Sequence, residues 1–542
     1  MNSVLKSEVF VAVLLCTLCS PLLVTSFGEA IPSLPVHNDD TGLNYATLQE
    51  ALDANESTDG HTIRVDAGIY YEHVLVNKSI SLVGEDSETT IIDGGGVGTV
   101  VKVTADNVTL SRFTIRNGGG ELSDNAVLLH SVRDCRISGN KFADSRTGIW
   151  IVDSYGCNIT ENYAENNFRG INPHNSGSIK LFDNIARNNT HGIFVENAPD
   201  CVLRNNTMTA NKYNFRVESG SLIDVDTSNT VDGKLVYYFA NQQDLTITQQ
   251  TCPNAGYLAV INSTGVTIRD LSVENEGQGI LLQSTNRSSI QNVTIASSYF
   301  GIYLGNSQYN SIIENRLKDN EIAIRTESNS NFNSIARNEI TNNFRGVFLG
   351  SYANNVTENK IDHNQYGIYL TSIASRNNII GNNVTQNEHA IYFFASSENL
   401  VFHNNFLNNQ GQVGIWGEGA TYHNLWNGTY PIGGNYWSDY NGNDTHTGEL
   451  QNLFGSDGIG DTPYVIDRLN SDNFPLMHIY SPLFCDLNDD RKVDMKDVAL
   501  AATSFGSSID QTKWNQTVDV NGDGSVDIKD LVQIAKNFGN NS

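Results

Sequence analysis

Asparagine recurs along this chain at the spacing of one stacked coil. Asn140, Asn162, Asn184 and Asn206 stand 22 residues apart, and Asn315, Asn338, Asn359, Asn382 and Asn404 follow in steps of 23, 21, 23 and 22. Glycine keeps the same clock at Gly148, Gly170 and Gly192, at Gly279 and Gly301, and at Gly346 and Gly367. A fixed period in this range signals stacked repeats. The units are too polar, and too rich in Asn, Gly, Ile and Thr, for helical solenoids. Each reads as short strands and turns, as in Gly367-Ile368-Tyr369-Leu370. The pattern predicts a parallel β-helix with coils about 4.8 Å apart. Side-chain amides in a column then hydrogen-bond from coil to coil, as asparagine ladders do in stacked strands. Function is expected on the outer surface of the stack.

The formal net charge of −27 over 542 residues argues against nucleic acid and anionic membranes as partners. Residues 1–30 read as a secretory signal: Lys6 gives the basic start and Val9 to Val24 the apolar core. That run is short for a membrane span, so no transmembrane segment is expected once the signal is cleaved. Of seven cysteines, Cys16 and Cys19 lie in the signal, leaving an odd five and no disulfide framework. Cys135, Cys157 and Cys201 share a column with Ile179, which points to inward packing. Neighbouring Cys135 and Cys157 have the spacing to pair. Asn-x-Ser/Thr sequons such as Asn77, Asn262 and Asn355 suit a secreted glycoprotein, although an Asn/Thr-rich repeat also produces them by chance.

Residues 36–480 are expected to form the β-helix. A helix near Tyr45 to Ala54 would cover its first coil, because an open coil presents unpaired edge groups. Residues 207–275 break the clock and predict irregular coils with a long excursion loop. From about residue 420 the Asn columns give way to aromatics and Asp/Gly, which reads as a C-terminal cap. The cap carries Gly434-Asn435-Tyr436-Trp437-Ser438-Asp439-Tyr440, followed by Asp457-Gly458-Ile459-Gly460-Asp461-Thr462-Pro463-Tyr464. With the coils, these strings resemble the archaeal secreted NosD-type proteins. That group belongs to the carbohydrate-binding and sugar-hydrolase proteins with the pectin-lyase-like fold. The resemblance implies an all-β, right-handed parallel β-helix solenoid of about 22-residue coils. It also carries a copper label, to which scattered histidines without an H-x-H give little support.

Residues 484–540 hold two loops of calcium spacing. Asp486, Asn488, Asp490, Lys492 through its carbonyl, Asp494 and Asp497 form the first. Asp519, Asn521, Asp523, Ser525 through its carbonyl, Asp527 and Asp530 form the second. Ca2+ is a hard cation that takes six to eight oxygens, and this spacing wraps them around one point. Gly524 occupies the sixth position, where the turn needs a left-handed residue; Arg491 stands there in the first loop. A helix follows each loop. The duplicated loop-helix resembles a type I dockerin, which implies docking onto a cohesin-domain protein, with Met495-Lys496 and Ile528-Lys529 helping to choose the partner.

Two constellations lie on the coils. The residue two after each clock glycine is expected to face outward: Trp150, Asn172, Phe194, Tyr303, Arg325, Phe348, Tyr369, Tyr392 and Trp416. Such a row of rings either stacks on sugars or packs ring on ring. A polar cluster gathers Arg169, Asn172, His174, His191, Glu196 and Tyr213. The string Gly170-Ile171-Asn172-Pro173-His174-Asn175 resembles the D-P-H-D segment of mannuronan C5-epimerases. It implies Arg169, His174, His191 and Tyr213 as catalytic candidates, with asparagines where that motif has acids. Three functions follow. The first is a secreted protein that binds polysaccharide or other glycan and is tethered by the dockerin-like module. The second is a polysaccharide-active epimerase, lyase or hydrolase, and the third a structural cell-surface or adhesin protein.

Overall fold

In a computed structural model of the chain, each regular coil contributes three parallel strands. Arg136–Ser138, Lys141–Ala143 and Thr147–Val152 pair in register with Asn158–Thr160, Tyr163–Glu165 and Arg169–His174, 22 residues on. The structure describes residues 34–218, 222–416, 422–480, 485–488, 492–509, 511–515, 518–520 and 524–539. The expected signal at 1–30 lies outside them, as do Asp490, Asn521 and Asp523.

The ladder forms because of how each corner turns. Arg112, Glu161, Asp183 and Asn205 adopt left-handed conformations at the first corner, with φ between 56° and 64°. The chain bends there, and the next backbone N–H points inward with no strand partner. The following asparagine satisfies it: Asn184 Oδ1 accepts from both the backbone and the Nδ2 of Asn162, at 3.0 and 3.1 Å. Asn162 Nδ2 also donates to the Ile137 carbonyl at 2.8 Å. The amide column thus closes the hydrogen bonds that a corner would otherwise leave open. Two further ladders stand at the other corners, one through Asn320, Asn343, Asn364 and Asn387 and one through Asn310, Asn333, Asn354, Asn377 and Asn399. The glycine clock has a different cause. A Cβ on Gly148 would stand 2.5 Å from the Gly170 carbonyl, and one on Gly346 the same distance from that of Gly367. Adjacent coils approach too closely there for any side chain.

Aliphatic residues fill the interior in two clusters. One runs from Val36 to Leu281 and the other from Ile247 to Trp437. They meet where the clock breaks. In place of the expected excursion loop, Thr230–Val231 turns antiparallel onto Lys234–Ala240, which pairs in parallel with Ala255–Ile261. The Tyr213–Glu218 strand meanwhile bonds to residues 275–278, 61 or 62 positions on, through Gly277 N to the Phe215 carbonyl and Gln278 Nε2 to the Val217 carbonyl. The long-strand face therefore continues across the break, while the intervening segment adds a side branch. Glu276 is sealed into this seam, its carboxylate accepting from Phe215 N at 3.0 Å. Burial holds its pKa well above the carboxylate range.

At the N-terminal end α1 (Leu48–Asp53), capped by Thr47, turns Leu48, Ala51 and Leu52 into the core. At the C-terminal end the ladders run on into the cap: Asn435 Oδ1 accepts from Asn404 and Asn470 Oδ1 from Asn424. Trp426 and Trp437 close the apolar interior. The five cysteines of the described residues are free and buried. The last module carries α2 (Met495–Ser504) and α3 (Ile528–Lys536), each starting at the last loop position but two.

Candidate functional site

Strand pairing places one outward column on the long-strand face. Trp150 stands beside Asn172, Phe194 beside Arg216, and Tyr303, Arg325, Phe348, Tyr369 and Tyr392 follow in unbroken register. Trp416 does not belong to it. Its neighbour is Phe394, while Gly414 stands opposite Tyr392. The step into this last strand is a regular 22 residues, so the column falls on Gly414 itself, and counting two residues on from that glycine misplaces the tryptophan.

The rings turn their faces to one another. Phe348 and Tyr369 stack at 5.4 Å with 4° between their planes, and Tyr369 and Tyr392 at 5.2 Å and 15°. Coil spacing is close to the stacking distance of two rings, so identical positions fill each other's faces and leave edges to solvent. Of the two readings of this column, ring-on-ring packing describes these contacts. Phe194 is buried, 3% exposed. Arginines continue the stack where rings stop. The Arg216 guanidinium lies 4.6 Å from the Phe194 centroid and 4.3 Å from that of Tyr299, and Arg325 lies 4.7 Å from Phe348.

The polar cluster assembles as the register implies, but much of it is inside. Arg169, His191 and Tyr213 are consecutive in one column, and His174 Nδ1 is 3.0 Å from Glu196 Oε2. Asn172, expected at the surface, is fully buried; it accepts from Arg169 Nη1 at 3.0 Å and donates to the Phe194 carbonyl at 2.7 Å. His191 and Tyr213 are 5% and 4% exposed. His191 is packed among Phe168, Phe194, Tyr213 and Tyr299. Burial, joined by the positive field of Arg216, Arg169, Lys212 and Arg146, pushes its imidazole down to about 3, so it is neutral at ordinary pH. Burial likewise raises the Tyr213 phenol. Of the four catalytic candidates, Arg169 and His174 retain partial exposure.

The seam opens a recess that spacing did not reveal. A cleft of about 720 Å3 is lined by Lys212, Tyr213, Asp232, Asn275, Asp319, Glu321 and Phe344, among others. Glu321 Oε1 takes the Lys212 ammonium at 3.2 Å and accepts from the Tyr213 hydroxyl at 3.2 Å. Lys212 and Glu321 lie 109 residues apart, and no periodicity links them, because the side branch sets the offset between their coils. Asp232 is held by Ala210 N and Asn214 Nδ2, both at 2.8 Å.

In the last module the two loops close on their twelfth residues. Asp497 Oδ1 accepts from Leu487 N at 2.6 Å and Asn488 N at 3.2 Å, and its Oδ2 from Asp494 N at 2.7 Å. Asp530 Oδ2 accepts from Asp527 N at 2.8 Å. Both carboxylates are fully buried. Asp494 and Asp527 cap α2 and α3, each with a reciprocal capping box. Each twelfth carboxylate is thus tied back to backbone N–H groups of its own loop; the residue types and their spacing, rather than a gathered set of oxygens, are what suit Ca2+.

Coils joined by internal amide ladders, followed by a duplicated loop-helix unit, define a parallel β-helix protein with a dockerin module. Residues 83–238 and 242–442 match the family described as periplasmic copper-binding protein (NosD), and residues 485–539 match the dockerin type I domain. The first match spans more than half of the chain, which belongs to the NosD family. A cell surface glycoprotein of Methanothermus fervidus is 29% identical over 130 residues, 24% of this chain and 21% of that protein. The chain thus spans about a fifth of the curated relative it matches. The A-module of the Azotobacter vinelandii mannuronan C-5 epimerase AlgE6 aligns over 70% of this chain and 93% of its own, at 14% identity and a TM-score of 0.26. The catalytic domain of a GH87 alpha-1,3-glucanase aligns over 72% and 67%, at 13% identity and 0.27. Likeness at this level says nothing about chemistry.

The family description names copper, which asks for clustered His, Cys or Met. Among the described residues, no three His, Cys, Asp or Glu side chains gather to hold a metal ion. Histidines are instead tied singly: His37 to Asp66, His363 to Asp362 and His446 to Asp461. These residues do not fit copper.

Proposed function

We propose that this is a secreted, cell-surface protein that holds polysaccharide on its coils and is anchored through its dockerin module to a cohesin-domain protein. The observation that carries the first half is the cleft at the seam. It is an open recess lined by carboxylates, amides, an ammonium and a phenol, with the Tyr213 and Phe344 rings at its walls. Hydrogen-bonding groups beside ring surfaces suit a polyhydroxylated ligand. The stacked column contributes ring edges and the arginines between them rather than open faces. The match of residues 485–539 supports the second half.

In this reading calcium is held by Asp486, Asn488, Asp490, Asp494 and Asp497 with the Lys492 carbonyl, and by Asp519, Asn521, Asp523, Asp527 and Asp530 with the Ser525 carbonyl. The ion neutralises converging carboxylates and so orders the loops that start α2 and α3.

The test uses the full chain with calcium on immobilised polysaccharides, recording both retention and products. Retention without product, weakened by Lys212→Ala with Tyr213→Phe, is expected. Turnover lost in His174→Ala would replace binding by catalysis, and retention on no polymer would remove the glycan reading. Calcium removal is expected to abolish capture by a cohesin domain and to lower the helical signal of α2 and α3. Asp497→Ala and Asp530→Ala should each lose one of two terbium-luminescence sites. Unchanged luminescence in both variants would refute the ligand assignment.

A further inference from the structure

The overall charge of −27 disfavours anionic ligands, yet the long-strand face reverses it locally. Five arginines stand there: Arg146, Arg169, Arg216, Arg325 and Arg345. Two are neutralised by carboxylates two residues on, Arg216 by Glu218 and Arg325 by Glu327. Glu196 is engaged with His174 and Glu321 with Lys212; Asp319 pairs with Lys318, Asp232 accepts from amides in the cleft, and Glu388 lies exposed toward one end. Arg146, Arg169 and Arg345 make no ion pair among the described residues.

Their geometry is nonetheless fixed. Arg146 lies 3.8 Å from the Phe168 centroid, Arg169 5.2 Å from Phe194, and Arg345 4.7 and 4.9 Å from Phe344 and Tyr369. A guanidinium stacked on a ring uses its face and keeps its N–H fork in plane for another partner. Arg169 spends one N–H on Asn172, and the Nε atoms of Arg169 and Arg345 are buried without an acceptor, which leaves the Nη groups to meet a ligand. All three side chains are partly exposed. Planar donors held rigid, unneutralised and partly exposed are how proteins recognise carboxylate and sulfate. Six coil steps separate Arg169 from Arg345 across the seam, about 29 Å at parallel-strand spacing. That length suits a polymer with repeated charges rather than one small anion. The depressed His191 pKa has the same field among its causes.

We infer that this face binds an acidic polysaccharide, with Arg146, Arg169 and Arg345 pairing with its carboxylate or sulfate groups. The inference rests on the glycan-binding reading and names the class of glycan.

The test compares the full calcium-loaded chain with the triple variant Arg146→Gln/Arg169→Gln/Arg345→Gln. Probes are polygalacturonate, chondroitin sulfate, an uncharged mannan and single-stranded DNA. Binding to at least one acidic polysaccharide, weakened by added salt and lowered on the order of 100-fold in the triple variant at an unchanged melting temperature, is expected. The two acidic probes separate carboxylate from sulfate. Acidic binding that survives the triple substitution overturns the inference. Binding of mannan alone, insensitive to the variant, overturns it while leaving the glycan reading intact; binding of no polysaccharide removes both. Equal binding of DNA overturns it in favour of a generic polyanion surface. Should the triple variant melt early, Arg169→Gln and Arg345→Gln are read singly. A loss of about 5-fold each is expected, and no loss in either overturns the assignment.

Discussion

Asn359→Ala tests whether the amide ladder holds the coils together. Asn359 is 1% exposed. Its Oδ1 accepts from Asn338 N at 3.0 Å and Asn338 Nδ2 at 2.9 Å, and its Nδ2 donates to the Ile335 carbonyl at 2.8 Å and Asn382 Oδ1 at 2.9 Å. Three of these four partners have a second bond. Asn338 Nδ2 still reaches the Ile312 carbonyl, and Asn382 Oδ1 still accepts from the backbone N–H of residue 359. The Asn338 N–H loses its buried partner, whereas the Ile335 carbonyl keeps its ladder pairing with Thr357 of the next strand. A buried polar group left unsatisfied costs about 1–3 kcal/mol, which is the loss expected here. Because each coil touches only its neighbours, the loss should be local before it is global. Hydrogen exchange of peptides spanning 335–382 should accelerate at least about 5-fold, the equivalent of about 1 kcal/mol, with peptides from 136–190 unchanged. Thr294→Ala, on an exposed strand position, should move nothing by more than about 0.5 kcal/mol. If Asn359→Ala matches that control in both exchange and denaturant midpoint, the ladder is not structural and the reasoning fails.

Two other consequences follow from the cap and the ring stack. Asp472 is buried and accepts from Asn435 N, Trp437 Nε1 and Phe474 N, yet burial outweighs these bonds and raises its carboxyl to about 6. Its folded pKa exceeds the unfolded value near 4, so its stabilising contribution is complete below about pH 4 and is lost as pH rises through about 6, at most about 3 kcal/mol. Asp472→Asn should flatten that slope in melts taken across this window, and parallel curves for the two proteins would contradict the assignment. Gly414→Ala places a Cβ 2.5 Å from the Tyr392 ring, so the stack must shift. A loss of about 1–3 kcal/mol and a changed near-ultraviolet signal from Tyr392 are expected, whereas an unperturbed spectrum would mean that the ring does not lie over Gly414.

Much of the site was legible only as columns. The 22-residue clock aligned Arg169 with His191 and Tyr213, and His174 with Glu196, because neighbouring coils repeat one register. The clock could not say how deep a column lies. His191 and Tyr213 are buried because the seam brings Tyr299 against them, a ring from beyond the side branch. The same offset created the Lys212–Glu321 contact. Trp416 falls outside its expected column because Gly414 is not a clock glycine but the outward residue itself, 22 positions after Tyr392. Two of the three amide ladders went unread, although Asn320, Asn343, Asn364 and Asn387 keep the same steps as the ladder that was recognised.

Local sequence by itself determined the coil, its period, its amide corners and the paired loop-helix units. Each depends on groups a few residues apart or on an identical neighbour one repeat away. Tertiary structure alone decided which outward groups remain available. Ring faces are consumed by the next coil at stacking distance, the seam buries one part of the polar cluster and opens a cleft beside it, and three arginines are left without a carboxylate. Those outcomes depend on how two stretches of coils meet across a side branch, and no repeat unit encodes that offset.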